Sequence, residues 1–278
     1  MSELFQLSGA GNDFLALVEP DAPPSAEQIR AWCRRGVSLG ADGFFTLQRD
    51  NAGDGAVVMD YFNADGGAAD LCVNGTRCAA QLAFFLGWAE RQVTVRTPAG
   101  VLLARRLSDD HIELEVPPPQ EPPRTLTLDV GGRQLTVVAL TVGVPHAVIA
   151  WADDLATCPV GELGPPIRHH HEFPHGANAN FVRYPGPHEL EIRTYERGVE
   201  AETLACGTGV LASVAAGVAA LQLSLPVRAL TRGGFVITVS GDAAEGVVRS
   251  WTIAGDARVL SCMETFHGAD LELEPPGW

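Results

Sequence analysis

What most limits the fold of this chain is that it carries one pattern twice. Cys72, in ADLCVNGTRCAA (69–80), and Cys206, in ETLACGTGVLAS (202–213), lie 134 residues apart. The same separation links Tyr61 with Tyr195, Thr97 with Thr231 and Gly100 with Gly234, and it sets Gly9 against Gly143 and Asn12 against His146. With a slip of two residues, GADGFF (40–45) matches GANANF (176–181). Matches so widely spread and in one order imply two copies of a single domain.

Each copy reads as strands around one long helix. VVMDYF, QVTVRT, VLLARRL and HIELEV are short, rich in apolar or β-branched residues, and bounded by Gly, Asp or Pro. VVALTVG, LEIRTY, FVITVS and GVVRSWTI answer them in the second copy. A helix is expected from about Asn74 to Leu86, stopped by Gly87, and another from Gly207 to about Leu221. The second is almost wholly small and apolar, and a helix apolar on every side must be buried. The expected class is α/β (α+β): two pseudo-symmetric repeats, each with mixed or antiparallel strands wrapped round a central helix, and an active site in the cleft between them. SAEQIRAWCRR, opening on a Ser25-x-x-Gln28 capping box, reads as a peripheral helix. VPPPQEPPR (116–124), with five prolines in nine residues, marks the junction. This places the first repeat at 1–118, joined by the tail 263–278, and the second at 119–262.

The chain has 278 residues, six cysteines and a formal net charge of -15. Such a charge argues against nucleic acid or an anionic membrane as partner, since both are held by basic patches, and it leaves a small molecule. No apolar run reaches the roughly 18–20 residues of a membrane span. The opening MSELFQLSGAGNDF has neither the basic nor the apolar region of a secretory signal, so a cytoplasmic protein with reduced thiols is expected. No C-x-x-C pair is present, and RHHHEFPH (168–175) reads as a solvated loop rather than a metal site. Cys33, Cys78, Cys158 and Cys262 read as small buried hydrophobes.

Cys72 and Cys206 read differently because each stands at the mouth of its repeat's central helix. A helix N-terminus carries unpaired N–H groups and about half a positive charge, which favours a thiolate and also holds a carboxylate. Two thiols on either side of one carboxylate suit a single chemistry in particular. A base on one face removes an α-proton and an acid on the other face returns it, inverting the stereocentre. Helix N–H groups would stabilise the charge that builds on the carboxylate. No cofactor is demanded, and no phosphate-binding loop or dinucleotide turn is present.

At these residues the sequence resembles the diaminopimelate epimerase family. The resemblance covers nearly the whole chain, through GAGNDF, GADG, YFNADG, LCVNGTRC, GVPH, NANF, YERG and ACGTG in that order. It implies two similar domains with the active site between them, a cofactor-independent enzyme, and a homodimer. It implies that Cys72 and Cys206 are the catalytic acid and base, supported by His146 and Glu196. Backbone N–H groups near Val73, Asn74, Gly207 and Thr208 would hold the reacting carboxylate. Asn12, Asn63, Asn178, Glu196 and Arg197 would line the cavity, with Arg197 on the distal carboxylate. Val73, Val144 and Gly43 depart from the family pattern, which has mostly glycine, often asparagine and sometimes glutamine at these places. Rival readings are a racemase or epimerase of another amino acid on this scaffold, a dithiol redox protein, and a pure binding protein.

Overall fold

The computed structural model describes residues 3–50, 55–69 and 71–263. It divides into two compact units, one running up to Arg106 and resuming at Ala257, the other spanning Leu107–Asp256.

The first unit opens with a hairpin of β1 (Leu4–Gly9) and β2 (Asn12–Val18), turned by Ala10 and Gly11 at φ 52° and 90°. Both turn residues in the left-handed region suit the right-handed twist of the flanking strands. α1 (Ala26–Cys33) begins at the capping box expected from the sequence: Ser25 Oγ accepts the Gln28 N–H at 3.2 Å, and Gln28 Oε1 accepts the Ser25 N–H at 2.9 Å. β3 (Gly43–Arg49) lies parallel to β2, and β4 (Val57–Asn63) antiparallel to β3. The short β5 (Ala68–Ala69) folds back on β4. α2 (Val73–Phe85) crosses next, then β6 (Gln92–Thr97), parallel to β4, and β7 (Gly100–Arg106), antiparallel to β6.

The second unit repeats this order. β8 (His111–Glu115) and β9 (Arg124–Val130) come first, followed by β10 (Arg133–Val142), which pairs antiparallel with both β9 and β11 (Val144–Ala150). α3 (Val160–Arg168) leads to β12 (Asn178–Gly186), parallel to β11, and β13 (Glu189–Glu196), antiparallel to β12. β14 (Ala201–Thr203) folds back on β13, α4 (Gly207–Ala219) crosses, and β15 (Val227–Thr231) returns parallel to β13. β16 (Val236–Ala244) and β17 (Val247–Asp256) complete the meander, and β8 adds to β17. From β1 to β7 and from β10 to β16 the pairings alternate antiparallel and parallel in the same sequence. The two repeated halves of a mixed, sheet-dominated α+β fold are thus present.

Every residue of α2 from Val73 to Phe84 is buried, as is every residue of α4 from Gly207 to Val218. The reason is topological: α2 touches β1, β2, β3, β4, β6 and β7, and α4 touches β10, β11, β12, β13, β16 and β17. Small residues let strands approach from all sides, which is why α4 reads as apolar all round, while α2 takes Asn74, Thr76, Arg77 and Gln81 into the same burial. α2 ends as Gly87 predicts. The Gly87 N–H bonds the Phe84 carbonyl at 3.1 Å and the Trp88 N–H bonds that of Ala83 at 2.9 Å, with Gly87 at φ 71°. α4 closes in the same manner at Leu221 and Gln222, but Leu221 holds φ 55° with a side chain 83 % exposed.

β18 (Arg258–Met263) returns to the first unit and pairs antiparallel with β1, Phe5 opposite Cys262. Cys262 is exposed there, contrary to the buried role read from the sequence, because alternate residues of β18 face outward. Cys33, Cys78 and Cys158 are buried. The proline-rich stretch lies inside the second unit, between β8 and β9. The expected junction at 118 and 119 has its counterpart in the structure at Arg106 and Leu107. The return to the first unit begins at Ala257, and the tail beyond Met263 lies outside the described residues.

Two equivalences drawn from the motifs shift. Tyr61 stands opposite Phe45 and Tyr195 opposite Ala179, so β3 and β12 keep the 134-residue separation without a slip. Asn12 closes its hairpin opposite Gly9, the place taken by Val144 opposite Val142, and His146 sits two residues deeper in its strand.

Candidate active site

Both cysteines are N-caps. Cys72 precedes α2 at φ -128°, ψ 106° and Cys206 precedes α4 at φ -128°, ψ 110°, nearly identical extended backbones. Each N-cap carbonyl accepts the first helical bond, from the Thr76 N–H at 2.7 Å and the Val210 N–H at 2.9 Å. Cys72 Sγ accepts the Gly75 N–H at 3.4 Å, while Cys206 Sγ faces the Thr208 hydroxyl at 3.5 Å. The first N–H groups of a helix have no intrahelical carbonyl to bond, and here they belong to Val73 and Asn74 in one unit and Gly207 and Thr208 in the other. Val73 opens α2 with ordinary helical backbone, so its β-branched side chain is accommodated without strain.

The third residue of each helix is glycine, with the N-cap thiol close over it. A Cβ on Gly75 would stand 3.4 Å from Cys72 Sγ and 3.3 Å from Met59 Cε. One on Gly209 would stand 3.3 Å from Cys206 Sγ and 2.5 Å from Asn180 Oδ1. The second site is the tighter.

In the first unit a polar relay runs from the surface to α2. Arg35 spans Asp13 and Asp42, the latter at 2.8 Å. Asp42 Oδ2 accepts from Asn12 Nδ2 at 2.9 Å, Asn12 Oδ1 accepts from Asn74 Nδ2 at 2.7 Å, and Asn74 Oδ1 accepts from Arg77 Nη2 at 2.7 Å. The relay fixes which end of each carboxamide is donor and which acceptor, and it brings Asn12 and Asn74 together beside Cys72. Asn63 ends β4 opposite Gly43, the residue that follows Asp42 of the relay.

In the second unit His146 and Asn178 stand side by side on the parallel strands β11 and β12. Asn178 Oδ1 accepts the Arg197 N–H at 2.7 Å, and Arg197 Nη1 donates to the His175 carbonyl at 3.2 Å. Glu196 Oε2 accepts from the Thr203 hydroxyl at 2.9 Å. His146 is fully buried, and loss of solvent together with the Arg197 charge pulls its pKa down to about 3, against a partial offset from the Val142 carbonyl, so it is neutral. Burial pushes the Cys33 thiol up to about 12 and that of Cys158 up to about 11, in keeping with packing roles. No group of His, Cys, Asp and Glu among the described residues is placed to hold a metal ion. No helix among them is long and apolar enough to cross a membrane.

Sequence reasoning missed Asn180, Thr208 as the neighbour of the Cys206 thiol, and the Arg35–Asp42 end of the relay. Asn180 had a signal, since in NANF it lies two residues beyond Asn178 and therefore on the same strand face.

The fold is that of the proline racemase and PhzF-like proteins. A Bacillus anthracis phenazine biosynthesis protein of the PhzF family matches with TM-score 0.73 at 15% identity, over 95% of this chain and 99% of that one. A hydroxyproline epimerase from Agrobacterium vitis, solved with trans-4-hydroxy-L-proline bound, matches with TM-score 0.67 at 15% identity, over 98% and 95%. At such identities these likenesses concern the fold. Residues 5–120 and 138–252 match the family described as diaminopimelate epimerase. Diaminopimelate epimerases of Aquifex aeolicus, 35% identical over 85% of this chain and 89% of theirs, and of Methanothrix thermoacetophila, 38% identical over 87% and 90%, are similar throughout. The chain belongs to the diaminopimelate epimerase family.

Proposed function

We propose that this protein interconverts LL- and meso-diaminopimelate by proton transfer between its two N-cap thiols and the substrate α-carbon, without a cofactor. One cysteine acts as thiolate and takes the α-proton. The other acts as thiol and delivers its own proton to the opposite face, so configuration inverts and the two sulfurs exchange protonation states. The reverse reaction starts from that exchanged state. Charge displaced onto the substrate carboxylate meets the free ends of α2 and α4, whose N–H groups need no reorganisation to receive it.

What most supports this reading is the pair of cysteines with matching N-cap backbones, each on the buried central helix of its repeat, in a chain of this family. The remaining assignments follow the chemistry of the substrate. Its far end is a second amino-acid group, so a guanidinium from Arg197 suits the distal carboxylate, while Glu196 and the carboxamides of Asn63 and Asn178 suit the ammonium and carboxylate together. Asn12 spends one N–H on Asp42 and its oxygen on Asn74, which leaves its second N–H for the substrate. His146 and Glu196 support the thiols. We place the reaction in the cytoplasm, on the route to lysine and peptidoglycan precursors, in a homodimer.

Proton NMR of LL-diaminopimelate in D2O with reduced protein tests this. The α-proton signal should vanish as the meso form appears, and neither Cys72→Ala nor Cys206→Ala should interconvert the isomers. Exchange of a different amino acid, with diaminopimelate untouched, would overturn the substrate. Full activity of an oxidised form in which the two thiols are joined would overturn the mechanism.

A further inference from the structure

The loop 197–200 joins β13 to β14 and carries Arg197 at its start. Glu200 closes it at φ 58°, a left-handed backbone that glycine adopts freely and side chains resist. Its backbone bonds would be made equally well by glycine: the Glu200 N–H donates to the Glu196 carbonyl at 2.9 Å, and the Glu200 carbonyl accepts from the Tyr195 hydroxyl at 2.7 Å. What glycine would lack is the carboxylate. Glu200 Oε1 accepts the Gly198 N–H at 3.0 Å and Arg168 Nε at 3.0 Å, with Arg168 Nη2 at 2.9 Å, and Oε2 lies 3.5 Å from His169 Nε2. Arg168, the last residue of α3, also reaches the segment 175–178. Its carbonyl accepts the Ala177 N–H at 3.2 Å, and its Nη1 occupies the space that a side chain at Gly176 would need. That segment binds Arg197 twice, through the His175 carbonyl on Nη1 and through Asn178 Oδ1 on the backbone N–H. Arg168 is therefore tied to both sides of Arg197: to the loop that carries it and to the segment that holds it. Global stability does not account for the pair, because the Glu200 side chain is 42 % exposed and an ion pair so open to solvent contributes little, while its backbone is strained.

We propose that Arg168 and Glu200 are positioning residues: together they clamp the Arg197 loop to the end of α3 and so aim the guanidinium that reads the substrate's second carboxylate. A planar guanidinium pairs with a carboxylate through two parallel bonds only when its plane and edge are correctly set, so a loosened loop weakens substrate affinity before it touches proton transfer at the thiols. The consequence for substrate rests on the epimerase reading above, whereas the clamp does not depend on it.

Full-length Glu200→Gly, Arg168→Gln and Arg168→Lys, compared with wild type, provide the test. Glu200→Gly relieves the backbone, so its urea midpoint should hold or rise, yet KM for diaminopimelate should rise on the order of 10-fold with kcat within about 3-fold of wild type. A residue that served stability alone would move the two together. Arg168→Gln should raise KM alike, and Arg168→Lys, which keeps the cation without the planar fork, should recover part of the loss. The Arg197 amide reports the clamp without any substrate. Its partner is Asn178 rather than Glu200, so its hydrogen exchange, followed by NMR, should quicken on the order of 10-fold in Glu200→Gly and Arg168→Gln only if the loop itself is released. Unchanged exchange at Arg197, or an unchanged KM in an active Glu200→Gly, overturns the proposal, as does a KM rise accompanied by a matching fall in the urea midpoint. If Arg168→Gln fails to fold, Glu200→Gly decides alone. Faster Arg197 exchange in the variants of a protein that leaves diaminopimelate untouched would keep the clamp and remove the function.

Discussion

Asn74 Nδ2 donates to Asn12 Oδ1 at 2.7 Å across 62 residues of sequence, tying the second residue of α2 to the first residue of β2. The bond joins the GAGND and CVNG motifs into one piece of structure. Asn12→Ala strands a buried amide and interrupts the relay from Arg35. Stability in urea should fall by about 1–3 kcal/mol, and epimerisation should fall with it, while Arg35→Ala, at the exposed end, should cost under about 1 kcal/mol.

The two helix glycines should respond unequally to alanine. At Gly209 the added carbon collides with Asn180 Oδ1 at 2.5 Å, and we expect a loss of about 1–3 kcal/mol together with activity. At Gly75 the nearest atom is the end of Met59 at 3.3 Å, which can give way, and helix propensity returns up to about 1 kcal/mol. Thermal unfolding of the two variants side by side measures the difference.

Leu221 occupies, at the end of α4, the left-handed position that Gly87 fills at the end of α2. Leu221→Gly should stabilise the protein by about 1 kcal/mol, because a side chain in that conformation costs about 1–2 kcal/mol and this one, being mostly exposed, loses little packing. A rise in the urea midpoint with unchanged slope is the expected signature.

A Cβ at Gly43 would stand 2.4 Å from the Tyr61 hydroxyl oxygen and 2.8 Å from its ring. Gly43→Gln should therefore destabilise by about 1–3 kcal/mol in the wild-type background and much less in combination with Tyr61→Ile. A double-mutant cycle should return a coupling of at least about 1 kcal/mol. Absence of coupling would mean that the departure of Gly43 from the family pattern is unrelated to the tyrosine.

His146 also predicts a pH dependence of stability. Its folded pKa of about 3 lies below the unfolded 6.5, so the unfolded chain binds the proton first as pH falls. The contribution is intact above about 6.5 and is lost between there and about 3, at up to about 1.4 kcal/mol per pH unit. Subtracting the denaturation profile of His146→Gln from that of wild type between pH 7 and pH 4 should isolate this slope.

The sequence made the repeats, the central helices and both N-cap cysteines legible because each rests on local chemistry: a capping box, a C′ glycine, a thiol before an apolar run. The strands VVMDYF and LEIRTY were readable for the same reason. What was not readable depends on which strand lies beside which. β8 joins β17, and Asn180 meets His146, only through ladders that local propensity does not specify. Cys262 looked like its buried counterparts because composition is silent on which face of a lone terminal strand is covered. The relay through Asp42 depends on Asn12 and Arg35, which only the folded chain brings to the GADG motif.

The pairing of β18 with β1 has a meaning for how the protein is made. β18 leaves the ribosome only after β1 and the whole of the second unit. For on the order of ten seconds of elongation the first unit waits with one strand edge unzipped, while the second can already close. β18 is thus a late clasp on an earlier strand, so a nascent chain halted before Arg258 carries an open edge ready to pair with a neighbour on the same message.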